Sequence, residues 1–306
     1  IMSAEINSFK EMGLKILKKR KYIVVSHSKK IKSINISTKP YPGFPTDLQA
    51  QIMVLMTKAE GISTIKENIF ENRFMHVSEL RRMGANIEIR ESNISIKSST
   101  LQAKDILVPG DISAAAFWLV AGICHENANI LIKNVGINPS RSAIIDVLQS
   151  MGANIKIINS NNKMVEPIAD IQVISSQLKG ITIQGKIIPE IIDEIPILAL
   201  AGSCASGQTI IKDAQELKYK ESDRIKSTVD TLRTLGSDIS ATKDGMIING
   251  SSQLYGNECD SLNDHRIAML ASISGLIAKG TTTINNFESV DVSYPQFRHT
   301  LEALIT

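Results

Sequence analysis

Apolar positions along this chain follow two spacings, and the two alternate. After the polar stretch 216–224, Ile225, Val229 and Leu232 recur at helical spacing, and after 263–266 so do Ile267, Leu270 and Leu276. Each run predicts a helix whose first turn carries the preceding charges. Short runs of alternating character, such as Ile87 and Ile89 with Glu88 and Arg90 between them, predict strands with one buried face. A phrase recurs where a helix should pass into a strand: Met12-Gly13-Leu14-Lys15-Ile16, Met83-Gly84-Ala85-Asn86-Ile87, Met151-Gly152-Ala153-Asn154-Ile155 and Leu235-Gly236-Ser237-Asp238-Ile239. Its glycine suits a helix C-terminus that must turn left-handed. Offsets of 71, 68 and 84 residues (83−12, 151−83, 235−151) mark an internal repeat.

A second phrase alternates with the first. It is a turn bearing an aspartate (Asp47, Asp111, Asp193, Asp264), then an apolar helix, then a β-branched strand near 61–65, 128–132, 207–211 and 280–284. The helices of this phrase, the first of them expected over 48–59, are apolar on nearly all faces. That marks helices buried inside a domain, so the strands must form the outer walls. The expected class is α/β in an inside-out arrangement of βαβαββ units, with buried helices and outer sheets. No Gly-x-Gly-x-x-Gly or P-loop sequence suggests a nucleotide. A polar stretch at 97–105 predicts a boundary between a single unit at 1–103 and a three-unit domain at 104–306. The last unit ends at 301–305 without a glycine turn and closing strand, so its sheet edge stays open unless something else completes it.

Composition narrows the classes. The 306 residues allow about two domains, and a net charge of +3 with no basic run interleaved with aromatics gives no ground for a nucleic-acid partner. The run 15–21 reads as a solvated helix end. Three cysteines without a Cys-x-x-Cys indicate neither a metal site nor a disulfide framework. Cys124 and Cys204 fall in apolar helical segments and read as buried thiols, which suits a reducing cytoplasm. No segment is apolar and long enough to span a membrane, and no signal-peptide pattern opens the sequence. The first residue is Ile, as expected of a piece of a longer chain.

Two stretches concentrate the chemistry. Glu216-Leu217-Lys218-Tyr219-Lys220-Glu221-Ser222-Asp223-Arg224 and Asn263-Asp264-His265-Arg266-Ile267-Ala268-Met269 each place cations and carboxylates at a helix start. Exposed amides there favour anions, and Lys220, Arg224 and Arg266 strengthen that preference. Two such turns facing one cleft would hold a small dianion, a phosphate with a carboxylate. Taken singly, each is an ordinary cap, Asp193 an N-cap and His265 a structural histidine.

Together with Val108-Pro109-Gly110-Asp111, Asn134-Val135-Gly136-Ile137-Asn138-Pro139 and Ile192-Asp193-Glu194-Ile195-Pro196, these stretches make the chain similar to the enolpyruvyl transferase family. Residues 104–306 resemble the C-terminal half of its 3-phosphoshikimate branch. Residues 1–103 resemble part of its UDP-N-acetylglucosamine branch, through Tyr41-Pro42-Gly43-Phe44-Pro45-Thr46-Asp47-Leu48-Gln49-Ala50-Gln51 and Phe70-Glu71-Asn72-Arg73-Phe74-Met75-His76. The family's Gly-Asp-Lys-Ser turn, its Asn-Ala-Gly-Thr loop and the sister branch's cysteine loop are not in this sequence, and Lys218 stands where the family usually has Arg.

The resemblance implies transfer of the enolpyruvyl group of phosphoenolpyruvate to a hydroxyl of shikimate 3-phosphate, without metal or organic cofactor. It implies Asp193 as base at the alcohol, Glu221 as proton carrier near the vinyl carbon, and Lys220, Arg224, His265 and Arg266 around phosphoenolpyruvate. Asp47, Phe70 and Arg73 would be an orphaned N-terminal site. The alternatives are the sister reaction on UDP-N-acetylglucosamine, or a non-catalytic binding remnant. A separate N-terminal half or self-association is expected to cover an exposed apolar face.

Overall fold

Four times the chain leaves a helix through a left-handed glycine and enters a strand. Gly13, Gly84, Gly152 and Gly236 have φ of +91, +104, +98 and +96°. At each, the glycine N–H bonds the carbonyl three residues back and the next N–H the one five residues back, as in Gly84 to Arg81 and Ala85 to Leu80, both 2.9 Å. This double cap satisfies the last carbonyls of the helix, and a side chain at the glycine would be strained. The computed structural model describes residues 2–26, 30–69, 74–161 and 166–305. They fall into two compact units, Ile1–Val108 and Pro109–Thr306.

The first unit runs α1 (Ser3–Glu11), β1 (Lys15–Lys18), β2 (Ile23–Ser26), β3 (Ile31–Lys32), β4 (Asn35–Ser37), α2 (Gln49–Met56), β5 (Ala59–Glu60), β6 (Ile62–Lys66), α3 (Met75–Arg82), β7 (Asn86–Arg90) and β8 (Asn93–Lys97). One sheet has the order β4-β6-β8-β7, with β4 and β6 parallel and the other pairs antiparallel. Ile65, Ile87, Ile94 and Ile96 pack from this sheet onto Ile52, Met53 and Met56 of α2.

Two expectations are corrected here. The basic run 15–21 is a strand and a turn: Gly13 ends α1, and Lys19 N–H closes on Tyr22 O at 2.9 Å, leaving β1 and β2 as a two-stranded hairpin. The helix expected over 48–59 is shorter, because Ala59 and Glu60 pair with β3 as β5. It leaves Val54 42% exposed, so α2 is not buried all round.

The second unit runs α4 (Ile112–Cys124), β9 (Asn129–Gly136), α5 (Ala143–Ser150), β10 (Asn154–Asn161), β11 (Ile168–Ile174), β12 (Thr182–Ile183), α6 (Ile188–Ile191), α7 (Ile195–Cys204), β13 (Gln208–Ile211), α8 (Arg224–Thr234), β14 (Asp238–Ala241), β15 (Met246–Asn249), β16 (Glu258–Asp260), α9 (His265–Ile277), β17 (Thr283–Asn285) and α10 (Phe297–Ile305). The apolar helices α4, α7 and α9 pack on one another and are buried over most of their length. Three sheets accompany them, ordered β10-β11-β9, β12-β13-β15-β14 and β16-β17. This is the inside-out α/β arrangement that the all-round apolar helices require. The parallel pair β16 and β17 repeats the parallel pair β12 and β13, but without the two antiparallel strands that follow the latter. Residues 98–109 hold no helix or strand. Among the described residues no helix is long and apolar enough to cross a membrane, and no group of His, Cys, Asp and Glu could hold a metal ion.

Candidate active site

Burying α4, α7 and α9 side by side brings their N-termini together. Asp111 caps α4 by accepting from Ser113 N (3.2 Å) and Ala114 N (3.3 Å), and Asp264 caps α9 by accepting from Arg266 N (3.0 Å). Between them, the turn into α7 carries Asp193 and Glu194, with Pro196 in its first turn, where a missing N–H costs nothing. Ser113 Oγ donates to Glu194 Oε1, and Arg266 Nη1 donates to the Asp193 carbonyl at 2.8 Å. Three positive helix ends therefore meet at one place.

The polar turn ahead of α8 supplies the remaining charges. Asp223 caps α8 through Lys226 N (3.1 Å), which fixes Arg224 in the first turn, pointing inward. Arg224 is 1% exposed. It forks onto Asp264 (Nε–Oδ2 2.9 Å, Nη2–Oδ1 3.2 Å), reaches Asp193 Oδ1 at 3.1 Å and pairs with Glu221. Lys220 Nζ lies 3.6 Å from Asp193 Oδ1 and 2.9 Å from Glu216. Arg266 Nη2 lies 3.9 Å from Asp193 Oδ2, while its Nη1 is 3.7 Å from Glu194. Three cations thus surround one carboxylate.

Protonation follows from these contacts. Burial alone would raise Asp193, but the charges of Arg266, Lys220, Arg224 and Arg141 outweigh it and hold the carboxyl below its usual range. Asp264 is likewise lowered, burial being overcome by its bonds to Arg224, Ser222 and the Arg266 N–H. Burial wins at Glu194, whose pKa is raised despite Arg266, Ser113 and Arg141. At His265 burial and then the Arg266 charge lower the pKa, so at neutral pH it is an uncharged imidazole that can donate one hydrogen bond.

The six residues expected to act in this half, Asp193, Lys220, Glu221, Arg224, His265 and Arg266, lie on the three adjoining turns. Arg224 organises the acids instead of facing solvent. A small hollow beside them is lined by Asp111, Ser113, His265, Arg266 and Tyr294. A larger one of about 320 Å³, between α9, β17 and α10, contains none of them. Lys218 donates to the Lys243 carbonyl at 2.7 Å. Two residues not expected from the sequence join the site: Glu194, next to Asp193, and Arg141, bonded to Ser113 at 3.3 Å and two residues beyond Pro139. Only the fold brings Arg141 to Asp193. In the first unit, Asp47 sits exposed in the turn Thr46–Leu48 ahead of α2, whereas Phe70 and Arg73 lie outside the described residues. The acid that sequence reasoning missed there is Glu67, buried, and bonded by Thr38 (2.7 Å), Thr46 (3.1 Å) and Gln49 (3.2 Å).

The model of the EPSP synthase family (3-phosphoshikimate 1-carboxyvinyltransferase) matches residues 2–105 and 92–301. The chain belongs to the EPSP synthase family. Similar relatives, each a 3-phosphoshikimate 1-carboxyvinyltransferase, come from Petrotoga mobilis (48% identical over 74% of this chain and 53% of that protein) and Bacillus cytotoxicus (44%, 86% and 62%). A third, from Gloeothece citriformis, is 40% identical across 99% of this chain and 68% of its own. The chain spans a little over half the length of the first two. An EPSP synthase structure from Acinetobacter baumannii superposes with a TM-score of 0.87 at 33% identity, over 99% of this chain and 70% of that one. The enolpyruvyl transferase NikO from Streptomyces tendae, 18% identical, shares the fold with a TM-score of 0.74 over 98% of this chain and 70% of its own. The first EPSP synthase match includes the segment expected to resemble the sister branch.

Proposed function

We propose that the cluster around Asp193 holds phosphoenolpyruvate beside the alcohol of shikimate 3-phosphate and serves transfer of the enolpyruvyl group, with release of phosphate. The supporting observation is a single ionised carboxylate ringed by Lys220, Arg224 and Arg266 where three helix N-termini meet. The alcohol oxygen attacks C2 of the enol phosphate, its proton passes to Asp193, and C3 gains a proton delivered by Glu221. The tetrahedral adduct then loses phosphate and one methyl proton to regenerate the double bond. Lys220 and Arg266, with the neutral His265 as a donor, meet the phosphate and carboxylate. An arriving dianion draws these cations off Asp193. Its pKa then rises, so the base gains strength when substrate is present. The chemistry as written needs no metal or organic cofactor, and the free cysteines suit a cytoplasmic setting.

Phosphate release from phosphoenolpyruvate plus shikimate 3-phosphate tests this reading. Turnover that disappears in Asp193→Asn supports it; a rate equal to buffer, with phosphoenolpyruvate neither turned over nor bound, removes it. The engagement of Arg224 with Asp264 and Asp193, instead of an open cleft, favours a second reading, in which the unit binds without turning over. That reading expects calorimetric binding of phosphoenolpyruvate, lost in Arg266→Ala, and no phosphate release.

A further inference from the structure

The three long buried helices end alike, and their last turns show what one of them lacks. Gly122 in α4, Gly202 in α7 and Gly275 in α9 each stand two residues before the end of their helix. A Cβ on Gly122 would meet Val173 Cγ1 at 2.7 Å and Ile130 Cδ1 at 3.2 Å, and one on Gly202 would meet Thr209 at 3.1 Å and Ile248 Cδ1 at 3.3 Å. In both copies these are facing residues of two antiparallel strands, Ile130 with Val173 and Thr209 with Ile248. At Gly275 the three nearest atoms all belong to Thr282, the first at 3.1 Å. Thr282 takes the place of Thr209: Gly207 and Gly280 both turn left-handed, and the parallel pairs Ile211–Ile183 and Ile284–Cys259 follow in step. Yet among the described residues β17 pairs with β16 alone, and the hollow of about 320 Å³ lies against Gly275, Thr282 and Ile284.

The first unit has the converse defect. Among the described residues β2 pairs with β1 alone, whereas β15, its counterpart after Gly236, also pairs with β13. Counted from Gly13 and Gly236, the pairs Ile16–Val25 and Lys18–Ile23 match Ile239–Ile248 and Ala241–Met246. Val25 is therefore the counterpart of Ile248, the residue that packs on Gly202, but it is 61% exposed. The two edges also carry opposite charge. Residues 12–26 hold Lys15, Lys18, Lys19, Arg20 and Lys21 and no acid, all of these cations being exposed. Residues 256–262 and 280–292 hold Glu258, Asp260, Glu288 and Asp291 and no cation, and these acids are exposed too.

We propose that the β1–β2 hairpin of one copy of this chain docks on β17 of a second copy, completing a sheet β16-β17-β2-β1 that repeats β12-β13-β15-β14. The register follows from the repeat: Thr282 faces Val25, Thr283 faces Val24 and Ile284 faces Ile23. Val25 then enters the hollow beside Gly275 as Ile248 lies on Gly202, and the two open edges satisfy each other's backbone groups. The basic hairpin meets the acidic rim, which selects this partner and its orientation. Because the two surfaces differ, the contact is head-to-tail, and it closes to a ring or continues as a chain of copies.

The test mixes two variants of the 306-residue chain, Val24→Cys and Thr283→Cys, in equal amounts in a glutathione redox buffer and maps non-reduced tryptic peptides. Both positions are exposed, so neither change disturbs a core. In the template, Ile210 faces Ile247 three residues from Gly207, whose carbonyl accepts from Gly250 N–H. The pair is therefore of the closely spaced, non-hydrogen-bonded kind that a disulfide can bridge. The expected result is a link between peptides 22–29 and 280–298, lost when Val25→Asp is added to the Val24→Cys chain. Val292→Cys in place of Thr283→Cys, at an exposed residue off the strand, should give no link. A mixture without the link, an equal yield with Val292→Cys, or a link that forms only when both cysteines sit in one chain would each overturn the proposal. So would a wild-type chain that sediments as a monomer at every concentration, which would leave this edge to a different partner.

Discussion

Arg224 decides how the acids of the site are held. Its guanidinium is 1% exposed and Asp264 is fully buried, so removing the arginine leaves a buried carboxylate without its countercharge, held only by Ser222 and the Arg266 N–H. Arg224→Ala should cost about 3–5 kcal/mol, read as a fall in urea midpoint by the fluorescence of Trp118, the single tryptophan, which lies in the same unit. Arg224→Lys should recover part of this, because it restores the charge but not the planar fork. An unchanged midpoint in the alanine variant would refute the structural role. The pH dependence has two opposing parts. Asp193 and Asp264 have folded pKa values below their unfolded ones, so their stabilisation is present above about pH 4 and is lost as acid protonates the folded form. His265, also lowered, works in the same direction as the unfolded imidazole takes up its proton. Glu194 is raised: between its unfolded and folded pKa values the native state holds the extra proton, and stability declines as pH rises through the folded value. Glu194→Gln should therefore flatten that decline while leaving the acid limb intact. A decline of equal slope in wild type and variant would show that the opposing part comes from elsewhere.

At the scale of elements, glycines control how closely helices approach sheets. Gly122 in α4 is the tightest of the three helix-closing positions, because Val173 Cγ1 stands 2.7 Å from where a Cβ would lie and Ile130 Cδ1 follows at 3.2 Å. Alanine gains up to about 1 kcal/mol in helix propensity, yet overpacking costs about 1–3 kcal/mol. Gly122→Ala should thus be net destabilising, and should be relieved by Val173→Ala in a double-mutant cycle; additivity of the two changes would sink this account. The glycine phrase that ends helices was legible in the sequence because its cause is local: only glycine accepts φ near +100° without strain. What was not legible depended on partners. Nothing within 15–21 says that it folds back on β2, and nothing within 57–60 says that Ala59 pairs with Ile31.

Over the whole molecule the same division holds. Asp193, Lys220 and Arg266 could be read from short phrases because each sits at a helix start, where residue type and position coincide. Arg141 and Glu194 could not, since Glu194 takes its role from the packing of α4 against α7 and Arg141 from the turn between β9 and α5 reaching Ser113. The repeat also shows which apolar positions stay exposed among the described residues. In the β7–β8 hairpin Ile87, Ile94 and Ile96 are buried, and in β14–β15 so are Ile239, Met246 and Ile248. The same register in β1–β2 places Ile16, Ile23 and Val25, yet Ile23 is 40% and Val25 61% exposed. In the second unit β17 ends a two-stranded sheet where β13 continues into a four-stranded one. An apolar hairpin face and an open strand edge both favour association. The chain should therefore show a sedimentation coefficient that rises with concentration. Ile23→Lys with Val25→Lys should shift it toward the monomer while leaving the circular dichroism spectrum unchanged, because neither side chain supports a buried core. A wild-type chain that sediments as a monomer throughout the concentration series would mean that these surfaces do not drive association.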